Sequence, residues 1–388
     1  MKFCIVTRNV IRGDGQGKVN YEIIKESLRR GHQVTIFSDG LDLDLQKEPN
    51  LTWVPAQAEK FPTAFLHQFV FGRRSESWLR KNRHQFDLVQ SCGAVTPAHS
   101  DVNTVHFVHS AWVQSAAHPL YTSGNYAYGL YQWVYSKLNA SLEKQSFQKT
   151  KQVIAVSEMV RQDLISIGVP RSLTEVIHNG VDIEEFIPGP ADRTKLGLPL
   201  NVSLALFAGD IRTSRKNLDS VLKALKLVPD LHLAVIGGTD GSPYPAMAKE
   251  LKVDHRVHFL GFRKDVAEVM RACDFFVFPS RYDTCALVLI EAMASGLPVI
   301  TATSTGGSEL VTGNAGFVLS DSEDINDITT HLKLLTQDLA KRQSMGYSAR
   351  QVAETHSWVS KARRYVDIFE DVARKQSYSV STSIPNLA

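Results

Sequence analysis

Two carboxylates and three cations carry most of the chemistry this sequence offers. Asp283 and Glu291 stand eight residues apart in RYDTCALVLIEAMASGLPVI, and Arg212, Arg215 and Lys216 crowd GDIRTSRKNLDSVL. If Asp283 precedes a helix and Glu291 lies two turns inside it, a rise of about 1.5 Å per residue separates them by roughly 12 Å. The paired carboxylates of a glycoside hydrolase need about 5–9.5 Å, so that chemistry does not fit. The spacing suits an elongated ligand with hydroxyls at both ends and phosphates between, as in a nucleotide sugar. Three cations at the carboxyl end of a strand suit its pyrophosphate, each charge-assisted contact being worth about 1.5–3 kcal/mol. The plain alternative for Glu291, flanked by LVLI and AMA, is pairing with a Lys or Arg that makes its burial tolerable.

These residues need a strand, a helix and a loop to position them. Phe275–Phe278 is a continuous apolar run, as expected of a strand buried on both faces of a parallel sheet. Thr284 is expected to cap a helix over about 285–295, stopped by Gly296 and Pro298. The amides of Cys285, Ala286 and Leu287 would then point out of the helix N-terminus and attract an anion. Val299–Ala302 returns as the next strand, followed by a Ser/Thr/Gly loop.

The first half alternates strands and helices in the same way. Gly13, Gly15 and Gly17 form a turn before a helix with apolar positions Val19, Ile23, Ile24 and Leu28. Asp39, at the end of the next strand, invites a dinucleotide reading, but Lys18 fills the third glycine position of that fingerprint. His106 and His109 end an apparent strand, where α/β folds place ligands. No third ligand is at hand for a metal. The rings of 111–135 could stack on a carbohydrate or pack as a helical hairpin. Residues 61–83 mix aromatics with a basic cluster, which fits either contact with anionic lipid or a core helix with a solvated basic end.

At 388 residues the chain suits two ordinary domains. Forty-three Lys and Arg against forty Asp and Glu leave a charge of +3, so no nucleic-acid affinity is implied. Its four cysteines form no C-x-x-C pair and read as buried thiols in a reducing compartment. MKFCIVTR runs directly into a strand, so no signal peptide is expected, and no stretch approaches the ~20 apolar residues that span a bilayer. The expected location is cytoplasmic, with peripheral membrane contact through 61–83 as an option.

PSRYDTCALVLIEAMASGLPVI resembles the signature of glycosyltransferase family 4, in which a Glu, seven residues and a second Glu precede Ala-Met-Ala-x-Gly-x-Pro-Val. Here Asp283 replaces the first Glu, and Thr284-Cys285-Ala286 replaces Gly-Phe-Gly. The resemblance implies a GT-B fold of two Rossmann-like α/β domains facing across a cleft, with a C-terminal helix crossing back to the first. It places the acceptor-side domain at 1–187 with the returning helix at about 357–376, the nucleotide-sugar domain at 188–356, with Pro188-Gly189-Pro190 as the boundary, and a disordered tail at 377–388. It implies a retaining transferase that moves a sugar from a nucleotide diphosphate sugar to a saccharide or lipid-linked acceptor and requires no metal or other cofactor. Catalytic roles fall to His109, Lys216 and Asp283. Donor contacts fall to Gly15, Gly17, Arg212, Arg215, Lys216, Phe262, Arg263, Asp283, the backbone of Thr284, Cys285, Ala286, Leu287 and Val288, and Glu291. A sugar-nucleotide 2-epimerase and a non-catalytic nucleotide-sugar-binding protein are the alternatives.

Overall fold

The computed structural model describes residues 1–12, 15–61 and 63–381. The chain divides into two compact units, Met1–Asn179 joined by the chain from Trp358 onward, and Gly180–Ser357. Each is built on one parallel sheet. In the first the strands lie in the order Leu51–Pro55, Gln33–Ser38, Lys2–Val6, Leu88–Cys92, Val102–Val105, Gln152–Ala155 and Thr174–Val176. In the second the order is Val257–Gly261, Leu231–Ile236, Ser203–Ala208, Phe275–Phe278, Val299–Ala302 and Gly316–Leu319. Both sheets therefore start in the middle, run to one edge, and return to fill the other side. That pattern leaves a crevice between the first and fourth strands, at their carboxyl ends, and ligands of doubly wound folds bind there.

The central strands are buried on both faces, and Phe275, Phe276, Val277 and Phe278 show at most 1% exposure. The expected boundary at 188 falls inside the second unit. Val181 donates its amide to the His356 carbonyl at 3.0 Å, and the Arg350 guanidinium reaches the carbonyls of Ile183 and Phe186. These contacts hold 181–187 to the second unit before the prolines are reached.

The returning helix is present as Trp358–Ser381 and packs on the first unit. Its Tyr365, Val366 and Phe369 share a core with Phe3, Ile5 and Ile23. Asp367 and Glu370 bind Arg30 at 2.7 Å and His32 at 2.9 Å. The helix runs past 376 because KQSYSVS holds no Gly or Pro to stop it, so residues 377–381 are helical and not a disordered tail. The rest of the expected tail lies outside the described residues. No described helix is long and apolar enough to cross a membrane. Cys4, Cys92 and Cys273 are buried free thiols, and Cys285 is half-buried.

Candidate active site

In the second unit three loops meet at the carboxyl ends of the central strands. The Ser203–Ala208 strand ends at Gly209, and the chain then turns through a short 3-10 helix, Ser214–Lys216, before the Leu218–Leu225 helix. Asn217 joins the two helices with a left-handed backbone, φ 63°, a conformation Asn tolerates better than most residues. Its side-chain amide donates to the carbonyls of Pro279 at 3.0 Å and Ser322 at 2.6 Å, which fixes the loop against its neighbours. The Arg215 carbonyl accepts from the Arg281 amide at 2.9 Å and the Ser280 hydroxyl at 3.1 Å. The third loop is laced in by Gly306, whose amide donates to the Asp283 carbonyl at 2.6 Å.

Lys216 is buried at the centre of this junction. Its ammonium is bonded to the Asp283 carboxylate and lies 5.3 Å from the centre of the Phe278 ring. Burial pulls the Lys216 ammonium below its usual range, and Asp283 opposes the shift. Arg212 is exposed and tied to Asp210 at 2.8 Å, whereas the Arg215 side chain has no hydrogen-bond or ion-pair partner among the described residues. Arg215 is therefore the cation left to receive an anion. Gly209 keeps this corner close, since a Cβ would stand 3.3 Å from the Phe278 ring and 3.4 Å from the Lys216 side chain, so that one of them would have to give by a few tenths of an ångström.

The helix of the signature stretch spans Leu287–Ala294, two residues shorter at its start than expected. Ala286, not Thr284, is its N-cap residue. The amide of Cys285 donates to the Asp283 carboxylate at 3.3 Å, and that of Ala286 to the Gly306 carbonyl at 3.1 Å. Asp283 and the glycine loop thus satisfy two of the three amides expected to be open. The first-turn amides of Leu287 and Val288 remain, because such groups have no intrahelical acceptor. The Glu291 carboxylate has no hydrogen bond or ion pair among the described residues, so the expected alternative of a Lys or Arg partner fails. Apolar surroundings push its carboxyl up to about 7, with the charge of Glu185 adding to the shift. Phe262 is 81% exposed, and Arg263 is held by Asp265 at 2.7 Å.

In the first unit a cavity of about 160 Å³ opens at the crevice between Lys2–Val6 and Leu88–Cys92. Arg8, Gln16, Cys92, His106, His109 and Glu143 are among its lining. Gly15 and Gly17 are not a turn before a helix but the first residues of the Gly15–Arg29 helix, and Gly13 lies outside the described residues. His109 opens a one-turn helix, and burial pulls the imidazoles of both His106 and His109 down to about 4, so both are neutral. Neither the Nε2 of His106 nor the Nδ1 of His109 has a hydrogen-bond partner among the described residues. Asp39 is not free for a ribose, since it accepts from the Ala58 amide at 2.6 Å and pairs with His67 at 2.7 Å.

Three features were absent from the sequence reading. Glu143, 1% exposed, accepts from the amides of His109 at 2.7 Å and Ser110 at 3.3 Å, and burial pushes it up to about 7 despite those bonds. Arg281 grips both carboxylate oxygens of Asp219, at 2.8 and 2.7 Å, and also binds Glu323, bracing the Lys216 loop from behind. Arg8 bonds to Gln68 at 2.6 Å and His67 at 2.8 Å at the mouth of the first-unit cavity. An Arg directly after the PS that ends a buried strand was the one readable signal among them.

Comparison with known proteins bears on the whole chain. A D-inositol 3-phosphate glycosyltransferase of Corynebacterium kroppenstedtii is 33% identical over 52% of this chain and 49% of its own. The chain thus aligns with about half the length of that relative. The enzyme of the same name from Xylanimonas cellulosilytica is 27% identical over 94% of both chains. Among solved structures, sucrose-phosphate synthase from Thermosynechococcus elongatus superposes with a TM-score of 0.78 at 18% identity, covering 96% of this chain and 99% of its own, which speaks for the fold. Residues 13–185 match the family described as Glycosyltransferase Family 4, and residues 190–352 match Glycosyl transferases group 1. With these two matches spanning most of the sequence, the chain belongs to glycosyltransferase family 4.

Proposed function

We propose that the protein moves a sugar from a nucleotide diphosphate sugar to a hydroxyl of a saccharide or lipid-linked acceptor, with retention at the anomeric carbon. The observation that carries this reading is the junction around Lys216. A buried ammonium, the unpaired Arg215, first-turn helix amides and a partnerless carboxylate, Glu291, all belong to one switch-point crevice. In this reading Lys216, Arg215 and the amides of Leu287 and Val288 take the diphosphate, and Glu291 accepts from the ribose hydroxyls. Asp283, which holds Lys216, yields it to the donor phosphate and turns to the sugar. His109, neutral and with an Nδ1 that has no partner among the described residues, keeps a hydrogen-bonding role toward a sugar hydroxyl.

As the bond from the anomeric carbon to the diphosphate oxygen breaks, its electron pair leaves with that oxygen. Lys216 and Arg215 stabilise the growing charge, which is the kind of contribution that usually dominates catalysis. The acceptor oxygen attacks from the same face, and its proton passes to the departing phosphate. Because these groups meet the phosphate charge, the reading requires no metal. A lipid-linked acceptor would bring the enzyme to a membrane surface.

No observation in the site favours the epimerase or the purely binding alternative. The test is incubation with a panel of nucleotide sugars and acceptors, with the anomeric configuration of the product read by NMR. An inverted product, or donor turnover that gives only an epimerised nucleotide sugar, would overturn the proposal.

A further inference from the structure

The Tyr126–Gln148 helix is inside out. At about 100° per residue, Leu130, Tyr131, Val134, Leu138 and Leu142 share an arc of roughly 120°. All five are at least 38% exposed. The opposite face, carrying Gly129, Ser136, Asn139, Glu143, Ser146 and, near its end, the one large apolar residue Phe147, is the one buried against the unit. Helices at the surface of a water-soluble domain do the reverse. The inward face is polar because Glu143 must reach the amides of His109 and Ser110, and because Gly129 lies against the backbone of Pro119 and Leu120, where a Cβ would come within 2.9 Å.

The charges around the apolar arc are of one sign. Glu143 is the only acid between Asp101 and Glu158, and it points inward. Lys137, Lys144 and Lys149 lack a carboxylate partner among the described residues, and Lys137 lies over the Trp133 ring at 5.6 Å. Lys144 also borders an apolar cavity of about 220 Å³ lined by Phe147, Ile167, Val169, Pro170 and Leu173. At the other end of the helix Tyr121, Tyr126 and Tyr128 are exposed. Such rings, with a polar tip on an apolar body, favour the boundary between water and lipid.

A second copy of the chain is a poor occupant, because two-fold pairing would set the same lysines against one another. We propose that this face docks on an anionic lipid bilayer. The five apolar side chains enter the boundary between headgroups and acyl chains, and Lys137, Lys144 and Lys149 meet lipid phosphates. The docking needs no sugar donor, so it stands or falls separately from the transfer reaction.

The test is co-sedimentation of the full chain with vesicles of phosphatidylcholine alone and of equimolar phosphatidylcholine and phosphatidylglycerol. Binding is expected to the anionic vesicles and to weaken with salt. A Leu138→Glu/Leu142→Glu variant, with its fold checked by thermal melting, should stay in the supernatant. Replacing Lys137, Lys144 and Lys149 by Ala should weaken binding roughly a hundredfold, at about fivefold per lysine. The proposal is overturned if the wild type ignores anionic vesicles, if the folded double variant binds as well as the wild type, or if light scattering shows a dimer that the double variant breaks while vesicles capture neither protein.

Discussion

Lys216 and Asp283, sixty-seven residues apart in the chain, form an ion pair at the carboxyl ends of two adjacent central strands. Each was expected to touch the donor, and in the structure the two hold each other. An incoming diphosphate offers Lys216 a stronger partner, because it carries more charge and more acceptor oxygens. In the proposed reading, donor binding would exchange one buried pair for another and leave no ammonium uncompensated.

Replacing Lys216 by Ala should cost about 2–4 kcal/mol of transition-state stabilisation, seen as a fall in kcat of roughly 30- to 1000-fold. Donor turnover at the wild-type rate would remove Lys216 from the chemistry.

Asp283→Asn removes the charge that opposes the effect of burial on Lys216, so the lysine pKa should fall further. The expected result is a lower kcat with recovery as the pH falls, while the wild type lacks that trend. Asp283→Glu adds a methylene inside a packed junction, and a misplacement of ~1 Å can cost a hundredfold in rate. The comparison is a pH–rate profile for all three proteins on one donor.

Nucleoside diphosphate affinity should rise with pH. Burial holds the carboxyl of Glu291 at about 7, and ribose hydroxyls are best accepted by its ionised form. Between pH 6 and 8 the Kd should fall up to about tenfold, following the ionised fraction. Calorimetry on Glu291→Gln should give a weaker and pH-independent Kd, and a pH-dependent one would point to another group.

The same carboxyl affects stability with a definite sign. Its folded pKa of about 7 lies above the usual 4.5, so the folded state binds more protons in that window. Its favourable contribution is complete below 4.5 and lost as the pH rises through 7. Glu291→Gln should accordingly be more stable than wild type at pH 8, by about 1–3 kcal/mol, and similar at pH 4. Urea denaturation at the two pH values measures the difference.

Gly346 allows the Leu339–Glu354 helix to touch the end of the Leu287–Ala294 helix, because a Cβ there would stand 2.2 Å from the Gly296 carbonyl oxygen. Gly346→Ala should destabilise the second unit by about 1–3 kcal/mol through overpacking. A thermal melt that matches the wild type would show that the helices can part without cost.

Much of the fold was legible because both sheets are parallel and fully buried, so their strands read as short apolar runs such as DFFVF between turn residues. The residues of the signature helix were legible for the same reason, whereas its start was not. Ala286 caps it through a loop that returns sixteen to twenty residues later, at 302–306, and local sequence cannot show that. Glu143 was missed because nothing in YSKLNASLEKQ marks a face that turns inward. Periodicity predicts that the apolar side is buried, and here a buried carboxylate reverses that rule. The role of Arg281 was hidden by distance, since its partner Asp219 lies sixty-two residues upstream.

The helix Trp358–Ser381 has a consequence for how the chain is made. Tyr365, Val366 and Phe369 complete the core around Phe3 and Ile5, so a strand made before the whole second unit waits for a helix made after it. The second unit, Gly180–Ser357, holds all its own strands and is fully synthesised before that helix emerges. Vectorial synthesis should thus mature the two halves in reverse order. A nascent chain arrested shortly after residue 357 would carry a finished second unit, while the first still exposed the apolar surface of its sheet and offered itself to chaperones.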